Sequence, residues 1–213
     1  MSKTICPNCQ AAIKKGILVG NVLFDDRKNR IISKYSGNNS SIEYCNKCGD
    51  SLYLMITGKI KEKIAAINSA IEEKAKNVVI LTTHTPMGWD YRALGIVTAQ
   101  TTTGTGVLAE FTSGFTDFFG AQSGAYNAKL ANGELSCFSQ IRMKTLGLGG
   151  NAVIATDIDY SEVGGAKGML MVCMAGTAVS LINTEILGPD KSNELKDIDK
   201  LVSRLRNLKS DLG

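Results

Sequence analysis

Aromatic residues make up only 6% of this 213-residue chain, which contains one tryptophan and one histidine. The core must therefore be filled by Val, Ile, Leu, Ala and Met. A lone imidazole, His84, has no second histidine with which to share a metal or a proton relay. Thr83-His-Thr-Pro86 reads most simply as the cap of a strand. Long apolar runs are also missing. The most apolar stretch, Met169–Ile182, is shorter than the roughly 20 residues of a membrane helix and is interrupted by Gly176 and Thr177. The opening Met1–Pro7 lacks the basic-then-apolar pattern of a translocated segment, so the expectation is a cytoplasmic protein with no membrane partner. Phosphate-binding signatures are weak. Thr101-Thr-Thr-Gly-Thr-Gly106 precedes a helix-prone segment, but it has neither the lysine of a P-loop nor the spacing of a dinucleotide fingerprint. No catalytic constellation emerges, and the chain reads as a non-enzyme.

What the sequence does contain is hydrophobic mass and cysteine. Hydrophobic residues reach 44% and charged residues 21%, the profile of a globular protein with a real core. The net charge of +4 is uneven: residues 1–76 carry an excess of +6, residues 77–188 one of −3, and the tail from Pro189 one of +1. Such asymmetry suggests modules with separate surfaces, short of the basic stripe of a dedicated nucleic-acid binder.

Cys6-Pro-Asn-Cys9 and Cys45-Asn-Lys-Cys48 are two C-x-x-C pairs with 35 residues between them. In a reducing compartment such pairs read as metal ligands before disulfides. Four thiolates suit a tetrahedral Zn²⁺ at Zn–S near ~2.3 Å, and a shell closed by four sulfurs is structural, with no position left for catalysis. Gly49 would supply a left-handed turn behind the second pair. Between the pairs lie Gly16–Phe24 and Arg30–Tyr35, two β-prone runs split by a turn at Asp25–Asn29 and followed by a loop at Gly37–Ser41. The arrangement resembles the zinc-ribbon family over residues 1–54.

A helix is expected over Lys59–Lys76 within a linker of residues 55–76, because Ile60, Ile64, Ile67 and Ile71 form one apolar stripe. In residues 77–188 the patterns predict strands at Val78–Thr83, Tyr91–Thr102, Ala152–Tyr160 and Met169–Ile182. A helix over Ala109–Phe119 would be broken by Gly120–Gly124. A second helix over Tyr126–Leu146 would be weakened by Asn132-Gly133, and a hairpin loop is expected at Glu162–Gly168. The order is that of an α+β domain with helices on one face of a sheet. Residues 189–213 hold an amphipathic helix, Lys191–Leu212, with Leu195, Ile198, Leu201, Val202, Leu205, Leu208 and Leu212 in a heptad-like stripe.

Several segments of this body act together. Thr83–Tyr91, Gly95-Ile-Val97, Phe118–Tyr126, Leu146–Val153, Asp157-Ile-Asp-Tyr160, Met169-Leu-Met171 and Gly176–Val179 resemble the YbjQ-like family across about residues 78–183. Its members are described as uncharacterised or heavy-metal-binding. The resemblance implies a dodecin-like β-α-β-β subunit with an antiparallel sheet, closing into a homo-oligomeric ring, expected to be a pentamer. It implies no reaction and no ligand residues. The added N-terminal module and helices, His84 and Gly149-Gly150 depart from the simple family pattern.

Three other groupings have a sharper and a plainer reading. Met169, Met171 and Cys173 share a strand face and could hold a soft ion, but core filling is the commoner role of such residues. Asp157 and Asp159 share a face that could take a hard cation or do acid–base work, whereas most carboxylates are simply solvated. Cys137 and Cys173 read as inert thiols. Lys14, Lys15, Arg27 and Lys28, with Tyr35, Tyr44 and Tyr53, could contact nucleic acid, a reading ranked below a protein partner for the N-terminal module.

Overall fold

The computed structural model describes residues 3–14, 20–37, 43–103, 121–163 and 169–212. It divides into two compact units, residues 1–70 with 203–213, and residues 71–202.

In the first unit, the chain enters through a short bridged turn. Ile5 pairs with Ala12 and Lys14 with Asn21, both antiparallel, and Leu23 pairs with Cys45. Helix α1 follows at Asp26–Ser36. This corrects the β-prone reading of Arg30–Tyr35. Two end signals outweigh the β-branched pair Ile31-Ile32: Asp25 caps the helix by accepting from the Lys28 N–H, and Gly37 closes it at φ +73°. Helix α2 runs from Asn46 to Lys74, starting 13 residues before the expected Lys59, with Cys45 immediately before it and Cys48 in its first turn. Ile56, Ile60 and Ile67 form its buried stripe. The predicted left-handed turn at Gly49 is also corrected. Gly49 is helical, and a Cβ there would lie 2.7 Å from the Phe24 ring and 3.0 Å from Tyr44 Cβ. Close packing selects that glycine. The left-handed position belongs to Gln10, at φ +58°.

The last turn of helix α4, Pro189–Leu212, is held within this unit by α1. Asp211 accepts from Lys34 Nζ at 2.7 Å and from the Tyr35 hydroxyl at 2.5 Å. Burial, together with the neighbouring Asp211 carboxylate, pushes the Tyr35 phenol up to about 12. A folded-state value raised above the ordinary 10 stabilises the fold fully below pH ~10, and that contribution is lost as pH rises through ~12. Tyr35→Phe should therefore cost about 1 kcal/mol at neutral pH. Wild type should converge on the variant between pH 10 and 12 in paired denaturation series. A constant difference across that range would show that the phenol–carboxylate contact is not its source.

The second unit holds a four-stranded sheet in the order β1-β3-β4-β2: β1 Val79–Ile80, β2 Tyr91–Thr103, β3 Ala152–Val163 and β4 Met169–Leu181. β1 pairs parallel to β3, and the other pairings are antiparallel. The strand expected at Val78–Thr83 is thus only two residues long, while the other three lie within a few residues of the expected bounds. Helix α3, Ala121–Gly147, crosses the sheet. Cys137 and Ile141 of α3 pack with Val97, Ala99, Val153, Val172, Met174 and Ala178 in one buried cluster. The break expected at Gly120–Gly124 is not there from Ala121 onward, since that stretch is helical. Gly133 does not end the helix because its backbone passes against the sheet, where a Cβ would meet Val172 Cγ2 at 2.7 Å. The expected helix at Ala109–Phe119 lies outside the described residues, as do most of the Thr-Gly segment and the 164–168 loop.

A bulge between Ile154 and Asp157 sets the chemistry of the sheet faces. Val153 points to α3, so strict alternation would send Asp157 and Asp159 there too. One extra residue re-phases the strand. Ile158 joins the α3 cluster, Tyr160 donates to Glu134 of α3, and both aspartates are exposed. The insertion leaves Ala155 at φ +52° and the Thr156 hydroxyl buried without a hydrogen-bond partner among the described residues. Near the start of β3, Trp89, Tyr91 and Leu187 cover the other face over Ala152, Ile154, Val179 and Leu181.

Candidate metal centre

Each cysteine pair sits on a segment that aims two sulfurs at one point. In the first, Cys6 N–H donates to Ala11 C=O and Gln10 N–H donates to Cys6 C=O, both at 2.9 Å, folding Cys6–Cys9 into a tight turn. In the second, the Cys48 and Gly49 N–H groups converge on Cys45 C=O at 3.1 and 2.7 Å as α2 begins. A helix N-terminus favours thiolate over thiol. The Leu23–Cys45 bridge and the Phe24 N–H to Tyr44 C=O bond of 2.8 Å tie this start to the rest of the module.

The four sulfurs lie within 4.8 Å of one another. Cys6–Cys48 and Cys45–Cys48 are 3.8 Å apart and Cys9–Cys45 3.6 Å. These separations exclude disulfides, whose S–S length is near ~2.05 Å. They match the ~3.8 Å edge of a tetrahedron with arms of ~2.3 Å. Cys6 and Cys45 are fully buried while Cys9 is exposed. Although burial opposes it, the Cys48 backbone N–H and the neighbouring thiols and Asn21 lower Cys45 to about 6. Cys9 accepts a favourable backbone bond from Ala11, yet partial desolvation and the other three sulfurs raise it to about 12. Four sulfurs this close cannot all ionise without a cation among them. The donor set therefore fits a soft or borderline metal ion.

The pattern of cysteines picked out the four sulfurs that cluster here but not the side chains that support them. Asn8 donates to Cys48 Sγ at 3.4 Å, and Asn21 braces the turn through Ala12 C=O and the Lys47 N–H. Asn8 sits inside the first C-x-x-C pair, a position from which a side-chain amide reaches the opposite pair. No sequence spacing marks Asn21.

The remaining candidates are distributed across the second unit. His84 is exposed on the loop after β1. Cys137 is buried, with Sγ 3.4 Å from Val172 C=O, and burial raises its thiol. Cys173 pairs in register with Asp159 on one side and Gln100 on the other. Cys173, Asp157 and Asp159 thus share a shallow depression of about 350 Å³ on the open sheet face. Their ligand atoms do not converge as the four cysteines do; among the described residues, the four-cysteine group alone has metal-binding spacing.

A family model described as "Putative heavy-metal-binding", YbjQ, matches residues 78–182. A UPF0145 protein of Geobacillus thermodenitrificans is 37% identical over 105 residues, 49% of this chain and 99% of the relative. The chain belongs to the YbjQ family. A UPF0145 protein of Listeria grayi is 39% identical over 84 residues, covering 39% of this chain and 79% of its own. One from Clostridium botulinum is 34% identical over 85 residues, covering 40% and 80%. None of these names states a reaction. A crystal structure of a protein of unknown function from Pediococcus pentosaceus, assigned to the DUF74 family, aligns with 49% of this chain and 98% of its own at 16% identity and a TM-score of 0.33. The YbjQ match lies wholly outside the four cysteines, so the family's metal description and this cysteine cluster concern different parts of the chain. Among the described residues, no helix of this YbjQ protein is long and apolar enough to cross a membrane.

Proposed function

We propose that this chain is a non-enzymatic, zinc-containing homo-oligomer of the cytoplasm, in which a zinc module is joined to a YbjQ assembly domain and serves metal binding or scaffolding. The observation that carries this reading is the four-sulfur cluster with edges of 3.6 and 3.8 Å. Zn²⁺ is the ion that four cysteine thiolates most commonly hold in this geometry, and the closed shell makes it a folding clip. The zinc-ribbon description keeps the two knuckles and the ligand set but takes a helix, α1, where a ribbon would have strands. Retained reducing conditions fit six free thiols and a cytoplasmic location.

The ring rests on the strand order. β2 is an edge strand of 13 residues, and the outer side of β3 is bonded to β1 and to Leu81–Thr83 as far as Thr156, leaving residues 157–163 as its open edge among the described residues. Two long edges at opposite sides of one sheet favour head-to-tail pairing of copies, which closes into a ring when the rotation permits. The β2-α3-β3-β4 order is that of a dodecin-like subunit, and five subunits is the closed form we favour. A ring would present several zinc modules together and strengthen a weak contact with a protein partner.

Native mass spectrometry with metal analysis tests both halves. The expected species is a closed ring, five chains by this reading, with one zinc per chain. A zinc-free monomer would sink the proposal.

A further inference from the structure

A second cavity of about 350 Å³ lies wholly within the unit of residues 1–70 and 203–213. Arg27, Arg30, Ile31 and Lys34 of α1 and Ser210 and Asp211 of α4 line it. Arg27, Arg30 and Lys34 recur at steps of three and four, which places them along one face of α1. Three cations therefore meet one carboxylate.

That carboxylate is already engaged. Both Asp211 oxygens lie 2.7 Å from Lys34 Nζ, and one also accepts from Tyr35. Lys34 and Tyr35 hold its carboxyl below the usual range. Arg27 donates to the Leu212 carbonyl, and the Ser210 hydroxyl donates to Asn207 C=O. Cations beside a helix C-terminus ordinarily balance its carbonyl dipole, which accounts for Arg27 and Lys34. It does not account for Arg30, which is exposed and has no ion-pair partner among the described residues. Its planar fork of donors matches two oxygens of a phosphoryl group better than it matches a single acceptor.

We infer that this groove binds a phosphoryl group, with Arg30 as the principal contact and Arg27 and Lys34 as supporting charges. The group could come from a nucleic-acid backbone or from a free polyphosphate. Both supply the same chemistry, and the groove offers nothing to read a base. Asp211 on the opposite wall opposes the anion, so binding should be modest and strongly salt-dependent. Of the cations the sequence suggested, Arg27 lies in this groove. Lys28 is occupied above the Phe24 ring at 4.6 Å and the Tyr53 ring at 5.5 Å, and Tyr44 is buried. The inference depends on the zinc reading only for the fold of the module.

The test uses the zinc-loaded full chain, a fluorescently labelled 20-nucleotide RNA and inorganic pyrophosphate, at 50 and 200 mM salt. The expected result is binding of at least one probe at low salt, weakened at least about fivefold by Arg30→Ala and less by Arg30→Lys. RNA displaced by pyrophosphate would assign the backbone as the source, and pyrophosphate binding alone would assign a free polyphosphate. Failure of both probes to bind at 50 mM salt, or unchanged affinity in Arg30→Ala, would overturn the inference. Zinc content measured on the same samples separates this failure from failure of the metal reading. Arg30 is exposed, so its replacement should leave zinc content and thermal midpoint at wild-type values.

Discussion

Cys45→Ser should lower zinc from one per chain to none and leave residues 3–14, 20–25 and 43–52 unprotected in hydrogen exchange. Cys45 is one of the two fully buried cysteines of the cluster and is bridged to Leu23 immediately before α2. A seryl oxygen cannot replace a thiolate for a soft ion, and three remaining sulfurs leave an open position. The magnitude follows from what else holds this region. Structural zinc contributes roughly 10–16 kcal/mol of apparent binding energy in small domains at neutral pH. Few buried side chains lie along residues 3–14, 20–25 and 43–52: Phe24 and Tyr44 beside the cysteines themselves. The protection of β2, β3 and β4 should persist, because their core draws on residues of the other unit. A Cys45→Ser protein that still carried one zinc and full protection would remove the metal from the account of this fold.

Gly176→Val should destabilise the sheet by about 3 kcal/mol, overpacking that lies at the upper end of the usual range. Strand propensity alone predicts the opposite sign, since valine is among the best strand residues and glycine among the worst. The local geometry decides. Gly176 lies in β4, between two partner strands, opposite the β3 bulge. A Cβ there would lie 2.7 Å from Val153 Cγ1, 3.0 Å from Thr156 Oγ1 and 3.4 Å from the Ile154 carbonyl. Val153 is fully buried and Thr156 is fixed by the bulge, so neither can move aside cheaply. For a unit of this size the thermal midpoint should fall by roughly 10 °C. An unchanged or higher midpoint would mean that the bulge relaxes, and the packing argument for Gly176 would fail.

The features legible in the sequence were those carried by a short period or a fixed spacing. β-prone runs bounded by glycine-containing turns located β2, β3 and β4 to within a few residues, and two C-x-x-C pairs picked out four sulfurs whose spacing could hold a metal. Features that depend on tertiary context were missed. Arg30–Tyr35 reads as a strand until the Asp25 cap and the Gly37 terminus are weighed together. The start of α2 is hidden because Cys45–Gly49 looks like a turn, and its glycine answers to Phe24 rather than to backbone conformation. Gly133 lowers helix propensity and yet is required where α3 crosses Val172. Asp157 and Asp159 face away from α3 only because one extra residue was inserted before them. The juxtaposition of Asp159 with Cys173 is a matter of register between strands, and no spacing along the chain reveals it.

The 35 residues between Cys9 and Cys45 have a consequence for how this module can vary. A metal joining those positions closes a loop, and the entropy of closure grows only with the logarithm of loop length. Doubling the excursion would cost about 0.6 kcal/mol, a small fraction of the binding energy of the ion. The interval between the two knuckles is therefore nearly exempt from length constraint. A helix such as α1, with its own caps and its own charged face, can be accommodated there while the sulfurs stay where they are, and the surface it displays can change faster than the site that anchors it.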